Sequence, residues 1–330
     1  MQVTVFGGGS WGTALGHLLA RTGHGVTMLV RDAEVAECIN TRNSNPRYLP
    51  DIPLSPALSA TTDPAAAFSG TDICLIAVPC QFMRKALIEV AEYIPAHAVP
   101  VCTSKGIELG TLQRMSQVVA ETLPLQADRY AILSGPSFAR EVAENKPTAL
   151  VIGCADARLG GKLREAFSCD TFRVYSCTDV VGVELGGAVK NVMAIASGLC
   201  DGLGLGDNAR AALITRGLFE ISRLGTATGA RASTFMGLSG MGDLVLTCTG
   251  GLSRNRQVGM RLAGGETMEQ IQASMHMVAE GVKTTGAVWA LGQQLDLEMP
   301  ITEAVARVLN EDVAPQTVVR ELMTRTLREE

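Results

Sequence analysis

Aromatic residues make up only 4% of this 330-residue chain. With so little Phe, Tyr and Trp, the interior must be filled by Ala, Gly, Leu and Val, which suits helices and strands packed at close range. Histidine is also scarce, with His17, His24, His97 and His276 as the only four, and the nine cysteines include no Cys-x-x-Cys. No cysteine and histidine spacing resembles a zinc site, so no metal is expected. The odd cysteine count, with Cys74, Cys102 and Cys154 inside strand-like runs, reads as buried thiols in a reducing cytoplasm. Positive charge is not in excess: the net charge is −5. That argues against a nucleic-acid partner and an anionic membrane surface, and leaves room for a local basic pocket for a small anion. The apolar run at 73–78 is far too short to span a bilayer. Met1 and Gln2 run straight into an apolar segment, with no basic stretch or cleavage site of an export signal. Apolar residues at 47% and charged residues at 18% allow a sizeable core, and the length suits one large or two ordinary domains.

Residues 3–6 read as a buried strand that runs into Gly7-Gly-Gly-Ser-Trp-Gly12. Glycines at 7, 9 and 12 satisfy G-x-G-x-x-G, a weak signal alone but here with a strand before it and a helix after it. The first glycine makes the turn, the second lets a pyrophosphate approach, and the third lets helix and strand pack. The helix N-terminus then faces the phosphates. A second strand at 26–30 ends in Arg31-Asp32. A carboxylate there would grip an adenosine ribose and an arginine would accept a 2′-phosphate, so Arg31 leans towards NADP(H) with NAD(H) still open. The bland alternative is a solvated charge pair. Residues 41–56 read as loop, with Tyr48 and Leu49 as anchors. Further strands are expected at 73–78, 99–103, 130–133, 148–153 and 171–175, and a helix at 82–93. Ligands of an open α/β sheet lie at the carboxyl ends of its strands, which makes Lys105 and the Gly135-Pro136-Ser137 turn site candidates by position. An exposed loop lysine and an ordinary turn are the competing readings.

After Asp179 the strand signals stop. The expected architecture is therefore an N-terminal Rossmann-type, doubly wound α/β domain over 1–178, followed by an all-α domain over 179–330. The second domain opens with a nearly apolar helix around 182–198 in which only Glu184 and Lys190 carry charge. Leu185, Val189, Val192, Ile195 and Leu199 form one stripe; Val183, Gly186, Gly187, Lys190, Ala194 and Ser197 form another. Two successive mid-helix glycines imply tight packing or a ligand at that face. Lys190 is thus either a catalytic lysine or one whose stem lies in the core while its ammonium reaches solvent. Residues 201–206 read as an interhelical loop, with Asp207 or Asn208 capping a helix over 209–225. Further on, a glycine loop precedes Asp243, Thr247 follows one helical turn later, and Ser253-Arg254-Asn255-Arg256 opens another helix with Ser253 as its cap. Arginine in a first helical turn is electrostatically misplaced unless an anion lies there, and a phosphate would meet guanidinium, amide and free N–H groups together. The competing reading is solvated surface arginines. The tail, 319–330, reads as a charged helix.

Other dehydrogenase chemistries lack their residues. Tyr48, Tyr93, Tyr130 and Tyr175 are followed four positions on by Ile52, His97, Ser134 and Asp179, so no Tyr-x-x-x-Lys pair exists. Zinc ligands are missing, and no histidine has a suitable partner, which leaves lysine to move the proton. Gly7-Gly-Gly-Ser-Trp-Gly12, Ser104-Lys-Gly-Ile-Glu108, Ser134-Gly-Pro-Ser-Phe-Ala139, Glu184-Leu-Gly-Gly-Ala-Val-Lys-Asn191, Gly242-Asp-Leu-Val-Leu-Thr-Cys-Thr249, Ser253-Arg-Asn-Arg256 and Met299-Pro-Ile-Thr-Glu303 together resemble bacterial NAD(P)-dependent glycerol-3-phosphate dehydrogenase, nearly end to end. The resemblance implies reversible reduction of dihydroxyacetone phosphate to sn-glycerol 3-phosphate for phospholipid synthesis, by a cytoplasmic homodimer. It implies that Lys190 accepts or donates the proton, that Lys105 polarises the carbonyl and that Asp243 orients Lys190. Thr247 is implied near the substrate hydroxyls, Ser253, Arg254 and Asn255 at the phosphate, and Gly135 and Ser137 at the border of the substrate. Ser10, Trp11, Ala139, Val278 and Glu280 match coenzyme positions, beside the glycines, Arg31, Lys105 and Arg254. Two other readings stay open: a lysine-dependent dehydrogenase of a hydroxyacid, and a non-catalytic nucleotide sensor.

Overall fold

The computed structural model describes residues 1–275 and 279–326. The chain divides into two compact units: Met1–Lys105 with Arg114–Glu184, and Gly106–Gln113 with the chain from Leu185 onward. The division falls six residues beyond the expected boundary at 178, inside the Val180–Gly202 helix. The short excursion Gly106–Gln113 belongs to the second unit, where Leu109 approaches Gly286.

The first unit is built on an eight-stranded sheet: β1 Gln2–Phe6, β2 Gly25–Leu29, β3 Leu58–Thr61, β4 Ile73–Ile76, β5 Val99–Cys102, β6 Ala131–Ser134, β7 Thr148–Cys154 and β8 Phe172–Cys177. Their order is β3-β2-β1-β4-β5-β6-β7-β8. Pairing is parallel from β3 to β6; β7 is antiparallel to β6 and parallel to β8. Sequence reading expected seven strands and missed β3, whose four residues Leu58-Ser-Ala-Thr61 are too short and too polar to stand out. All four residues of β4 are buried, as a central parallel strand covered on both faces requires. The order reverses at β1, which lies between β2 and β4, and such a reversal opens the crevice where open α/β sheets bind ligands. One continuous core runs under the sheet, from Val3 and Val5 through Ile73, Leu75 and Val101 to Phe172 and Val174, with Trp11, Tyr48 and Ala139 packed at its margin.

Among the described residues no strand follows β8; the remainder of the second unit is helical. Its central element, Val180–Gly202, is longer than expected and buried almost throughout, on both of the stripes read from the sequence. This helix is long and apolar enough to cross a membrane, but 89% of its most apolar window is buried inside the protein. The next helix runs Gly206–Ala227 with Leu205 at the N-cap. Neither Asp207 nor Asn208 caps it, contrary to expectation: Asp207 lies in its first turn and pairs with Arg210. The linker is accordingly only 203–205. All nine cysteines are free thiols, and Cys74, Cys102 and Cys154 are buried as expected. The terminal helix is Pro315–Met323; the expected helical tail beyond 326 lies outside the described residues.

Candidate active site

In the first unit the glycine-rich turn follows β1 directly. Gly7 takes φ +125°, and a Cβ there would stand 2.7 Å from Ala77 O on the segment after β4. A Cβ at Gly12 would strike Gly7 O, so this glycine keeps the helix close to the turn. Gly9, by contrast, faces open space and caps the Ser10–Arg21 helix with no side-chain oxygen on its first N–H groups. Open space at the middle glycine and an uncapped helix start are what a pyrophosphate needs, so the residues present fit a dinucleotide. The 43–55 loop is tied to this turn. Asn45, wholly buried, donates to Gly8 O (3.1 Å) and Thr13 Oγ1 (2.8 Å), Ser10 Oγ donates to Tyr48 O (2.5 Å), and Ser55 N donates to His17 Nδ1 (2.8 Å). Burial and the nearby Arg21 charge hold His17 down at about 4, so it serves as a neutral acceptor. Nothing in the sequence patterning marked Asn45; its signal is only an Asn-Pro pair in a loop.

Arg31 is exposed past the tip of β2. It does not form the solvated charge pair with Asp32 that is the alternative reading: Asp32 caps the Ala33–Arg42 helix through Glu34 N and is bound by Arg47. At the carboxyl ends of β5 and β6, Lys105 Nζ donates to Gly135 O at 3.1 Å, and Ser137 Oγ donates to the same oxygen at 3.1 Å. Gly135 takes φ +137°, and a Cβ there would press on Leu150, so the turn requires glycine. The two candidates read from the sequence, Lys105 and the Gly135-Pro136-Ser137 turn, thus meet at one carbonyl. Ala139 starts the short Ala139–Ala143 helix, partly buried against the core.

Glu184 lies near the start of the Val180–Gly202 helix, and its carboxylate is 4% exposed. It accepts from Arg114 Nη1 (2.6 Å), Ser116 N (2.6 Å), Ser116 Oγ (2.8 Å) and Tyr130 Oη (2.9 Å). A charge this deep is tolerated because every lone-pair direction is used. The sequence showed a charged residue in an apolar helix but not its four donors, which lie 54 to 70 positions away.

In the second unit Lys190 does not reach for solvent. It is 7% exposed, and its ammonium bonds Asp243 Oδ1 and, at 2.8 Å, Thr247 Oγ1. Thr247 donates its own hydroxyl proton to Asp243 O at 2.6 Å, so towards Lys190 it can only accept. Asp243 is 1% exposed. The ammonium therefore meets one negative and one neutral acceptor away from bulk water, where their field is strongest. Backbone geometry makes this pairing. The glycine loop before Asp243 is a single π-helical turn, Leu238–Gly242, leading into the Asp243–Thr249 helix. It lies against Gly186, where any Cβ would strike Ser239 O. The helical glycine read as a mark of close approach is filled by protein backbone. Next to this centre, burial pushes the Cys248 thiol up to about 12 despite the Lys190 charge, so it remains protonated.

Ser253 caps the Arg254–Ala263 helix, accepting from Arg256 N, as expected. This helix crosses the Lys190 helix glycine to glycine: a Cβ at Gly259 would strike Ile195 O, and one at Gly198 would strike Arg256 O. Two polar links flank the crossing. Asn255 Nδ2 donates to Asn191 Oδ1 at 3.0 Å, and Arg256 Nε donates to Asp201 Oδ2 at 2.7 Å. Asn255 Oδ1 in turn accepts from Gly281 N at 3.0 Å, next to Glu280 at the start of the Glu280–Gln294 helix. Arg254 is exposed by area yet crowded enough that desolvation lowers its pKa against the raising influence of Glu280; a guanidinium stays charged regardless. The structure therefore brings Lys190, Asp243 and Thr247 into one cluster, and Arg254, Asn255 and Glu280 into another. Val278, expected at the coenzyme, lies outside the described residues. Sequence patterning assigns no role to Asn191 or Asp201; the adjacency of Asn191 to Lys190 is the one signal for it. Among the described residues no cluster of potential metal ligands occurs.

A family model described as the NAD-dependent glycerol-3-phosphate dehydrogenase N-terminus matches residues 2–160, and one described as its C-terminus matches residues 179–320. The chain belongs to the NAD-dependent glycerol-3-phosphate dehydrogenase family. Relatives named glycerol-3-phosphate dehydrogenase [NAD(P)+] include proteins of Oleidesulfovibrio alaskensis and Nitratidesulfovibrio vulgaris strain DP4, each 59% identical over 330 residues and matched over the full length of both chains. The crystal structure of glycerol-3-phosphate dehydrogenase from Coxiella burnetii superposes with a TM-score of 0.93 at 40% identity, covering 98% of this chain and 99% of that one. The glycerol-3-phosphate dehydrogenase family models leave 161–178, which carries β8, between them.

Proposed function

We propose that this chain reduces dihydroxyacetone phosphate to sn-glycerol 3-phosphate, reversibly, with NADPH or NADH. The observation that carries this reading is the buried Lys190 ammonium held by Asp243 and Thr247, on a helix crossed by the one that opens with Ser253, Arg254 and Asn255. In this reading the first unit takes the coenzyme through Gly7, Gly9, Ser10, Trp11, Gly12, Arg31 and Ala139, and the second takes the substrate. The coenzyme, when bound, supplies a hydride to the substrate carbonyl carbon. Lys190 protonates the oxygen as negative charge develops on it, and in the reverse direction accepts that proton. Asp243 keeps the amine charged and aimed. A fixed ammonium contributes both field and proton in the transition state, and its partners need no reorganisation. Lys105, with Gly135 and Ser137, borders the carbonyl. Ser253, Arg254 and Asn255, at the start of the Arg254–Ala263 helix, hold the phosphate, so that binding energy at one end of a three-carbon molecule orients the other. Glu280 and Val278 belong to the coenzyme side. Synthesis of the glycerophosphate unit of phospholipids, in the cytoplasm and by a homodimer without membrane or nucleic-acid contacts, is part of the same proposal.

A hydroxyacid dehydrogenase would need a carboxylate pocket, and a nucleotide sensor would have no use for the lysine. Lys190→Ala is expected to abolish turnover while coenzyme titration remains as in the parent protein. Reduction of dihydroxyacetone phosphate at the parent rate by that variant, or faster reduction of unphosphorylated 2-oxo acids by the parent, defeats the proposal.

A further inference from the structure

We propose that Arg47 sets the coenzyme preference of this chain by neutralising Asp32. The inference rests on the reading of the Gly7–Gly12 turn as the coenzyme turn. In that architecture an acidic residue about 20 positions past the glycine turn, beyond the end of β2, faces the adenosine ribose; a carboxylate there accepts from the 2′-hydroxyl and repels a 2′-phosphate. Asp32 occupies that place, but both of its oxygens are engaged. Oδ1 accepts from Glu34 N at 3.0 Å, and Oδ2 accepts from Arg47 Nη1 at 2.5 Å.

The position of Arg47 is not incidental. It sits in the 43–55 loop, between Asn45, whose amide holds Gly8 O of the coenzyme turn, and Tyr48, whose carbonyl holds Ser10 Oγ. Its guanidinium lies 5.3 Å from the centroid of the Tyr48 ring, which restricts the side chain further. The loop that braces the phosphate turn therefore also delivers a cation to the ribose carboxylate. The side chains of Arg47 and Asp32 keep 58% and 36% of their exposure, so a ligand can reach both. A pair this open adds little to folding stability. Its consequence is electrostatic: the guanidinium bound to Asp32 offsets its carboxylate, and the tip of β2 accepts a 2′-phosphate that Asp32 alone would exclude.

Isothermal titration of the apoprotein at fixed ionic strength tests this, with NADPH, NADH, 2′,5′-ADP and 5′-AMP as probes and Arg47→Ala, Asp32→Asn and the double substitution as variants. Asparagine caps a helix as well as aspartate, so Asp32→Asn keeps the Ala33–Arg42 helix intact. Arg47→Ala is expected to weaken NADPH and 2′,5′-ADP about tenfold or more, leaving NADH and 5′-AMP within about twofold. Adding Asp32→Asn is expected to restore most of the lost NADPH affinity, because the unmasked carboxylate is gone. An equal effect of Arg47→Ala on both coenzymes, no effect on NADPH, or no recovery in the double variant overturns the proposal. Failure of the unsubstituted protein to bind any of the four probes would instead remove the reading of the glycine turn itself.

Discussion

Glu220 provides a test of how burial and helix capping compete. Its carboxylate, 3% exposed, lies under the start of the Pro300–Asn310 helix, where it accepts from Ile301 N (2.6 Å), Thr302 N (3.2 Å) and Thr302 Oγ1 (3.0 Å). Those donors and the positive end of the helix favour the ionised form. Desolvation opposes them and wins, raising the pKa from 4.5 to about 7. An acid whose pKa is raised on folding binds more protons in the native state than in the unfolded state between those two values. Stability therefore falls as pH rises from about 4.5 to about 7; it is fully present below and lost above. A displacement from 4.5 to about 7 corresponds to about 3 kcal/mol. His17 acts in the opposite sense between about 4 and 6.5, being held neutral in the fold, so the raw pH profile of the protein mixes the two. A difference removes that mixing. Glu220→Gln keeps the volume and one acceptor but cannot ionise. Urea unfolding followed by circular dichroism at pH 5 and pH 8 is expected to show the variant gaining about 3 kcal/mol relative to the parent protein between the two values. A gap between variant and parent that stays constant across that range would refute the reasoning, because Glu220 would then have the same protonation in both states.

The other expectations concern the site. Asp243→Asn removes the charge facing a buried ammonium, and kcat for dihydroxyacetone phosphate reduction is expected to fall about a hundredfold or more, with a small change in KM; an unchanged kcat would deny Asp243 its role. Arg254→Ala is expected to raise KM for dihydroxyacetone phosphate about tenfold to a hundredfold and KM for the coenzyme much less, as loss of a charge-assisted phosphate contact requires; equal changes would count against the phosphate cradle. Gly259→Ala places a methyl against Ile195 O at the helix crossing, so a loss of about 1–3 kcal/mol in chemical denaturation is expected, with kcat reduced as Asn255 shifts; full stability would show that the crossing can yield.

Several features of this chain are legible in its sequence because they are local. The Gly7, Gly9 and Gly12 spacing between a strand and a helix specifies its own turn, since each glycine answers a constraint within a few residues. Ser253 as a cap, and the apolar course of the Lys190 helix, follow likewise from neighbours three or four positions away. β3 was not legible, because four residues of mixed polarity acquire strand identity only by pairing with β2. The cap of the Gly206–Ala227 helix was misplaced because Asp207 is a good capping residue by type, while the N-cap is Leu205, two residues earlier.

Taken alone, the sequence determined which residues could do chemistry here: few histidines, no zinc ligands, no Tyr-x-x-x-Lys pair, and a lysine set among glycines. It could not determine whether that lysine was buried or solvated, for the answer depends on Asp243 and Thr247, 53 and 57 positions away. Only the tertiary structure supplies them, through a π-helical turn resting on Gly186 that leads into the Asp243–Thr249 helix. The reason is physical: hydrogen bonds and burial act over a few ångströms of space, and the same residue types are surface charges or a proton-transfer centre according to what the fold sets beside them.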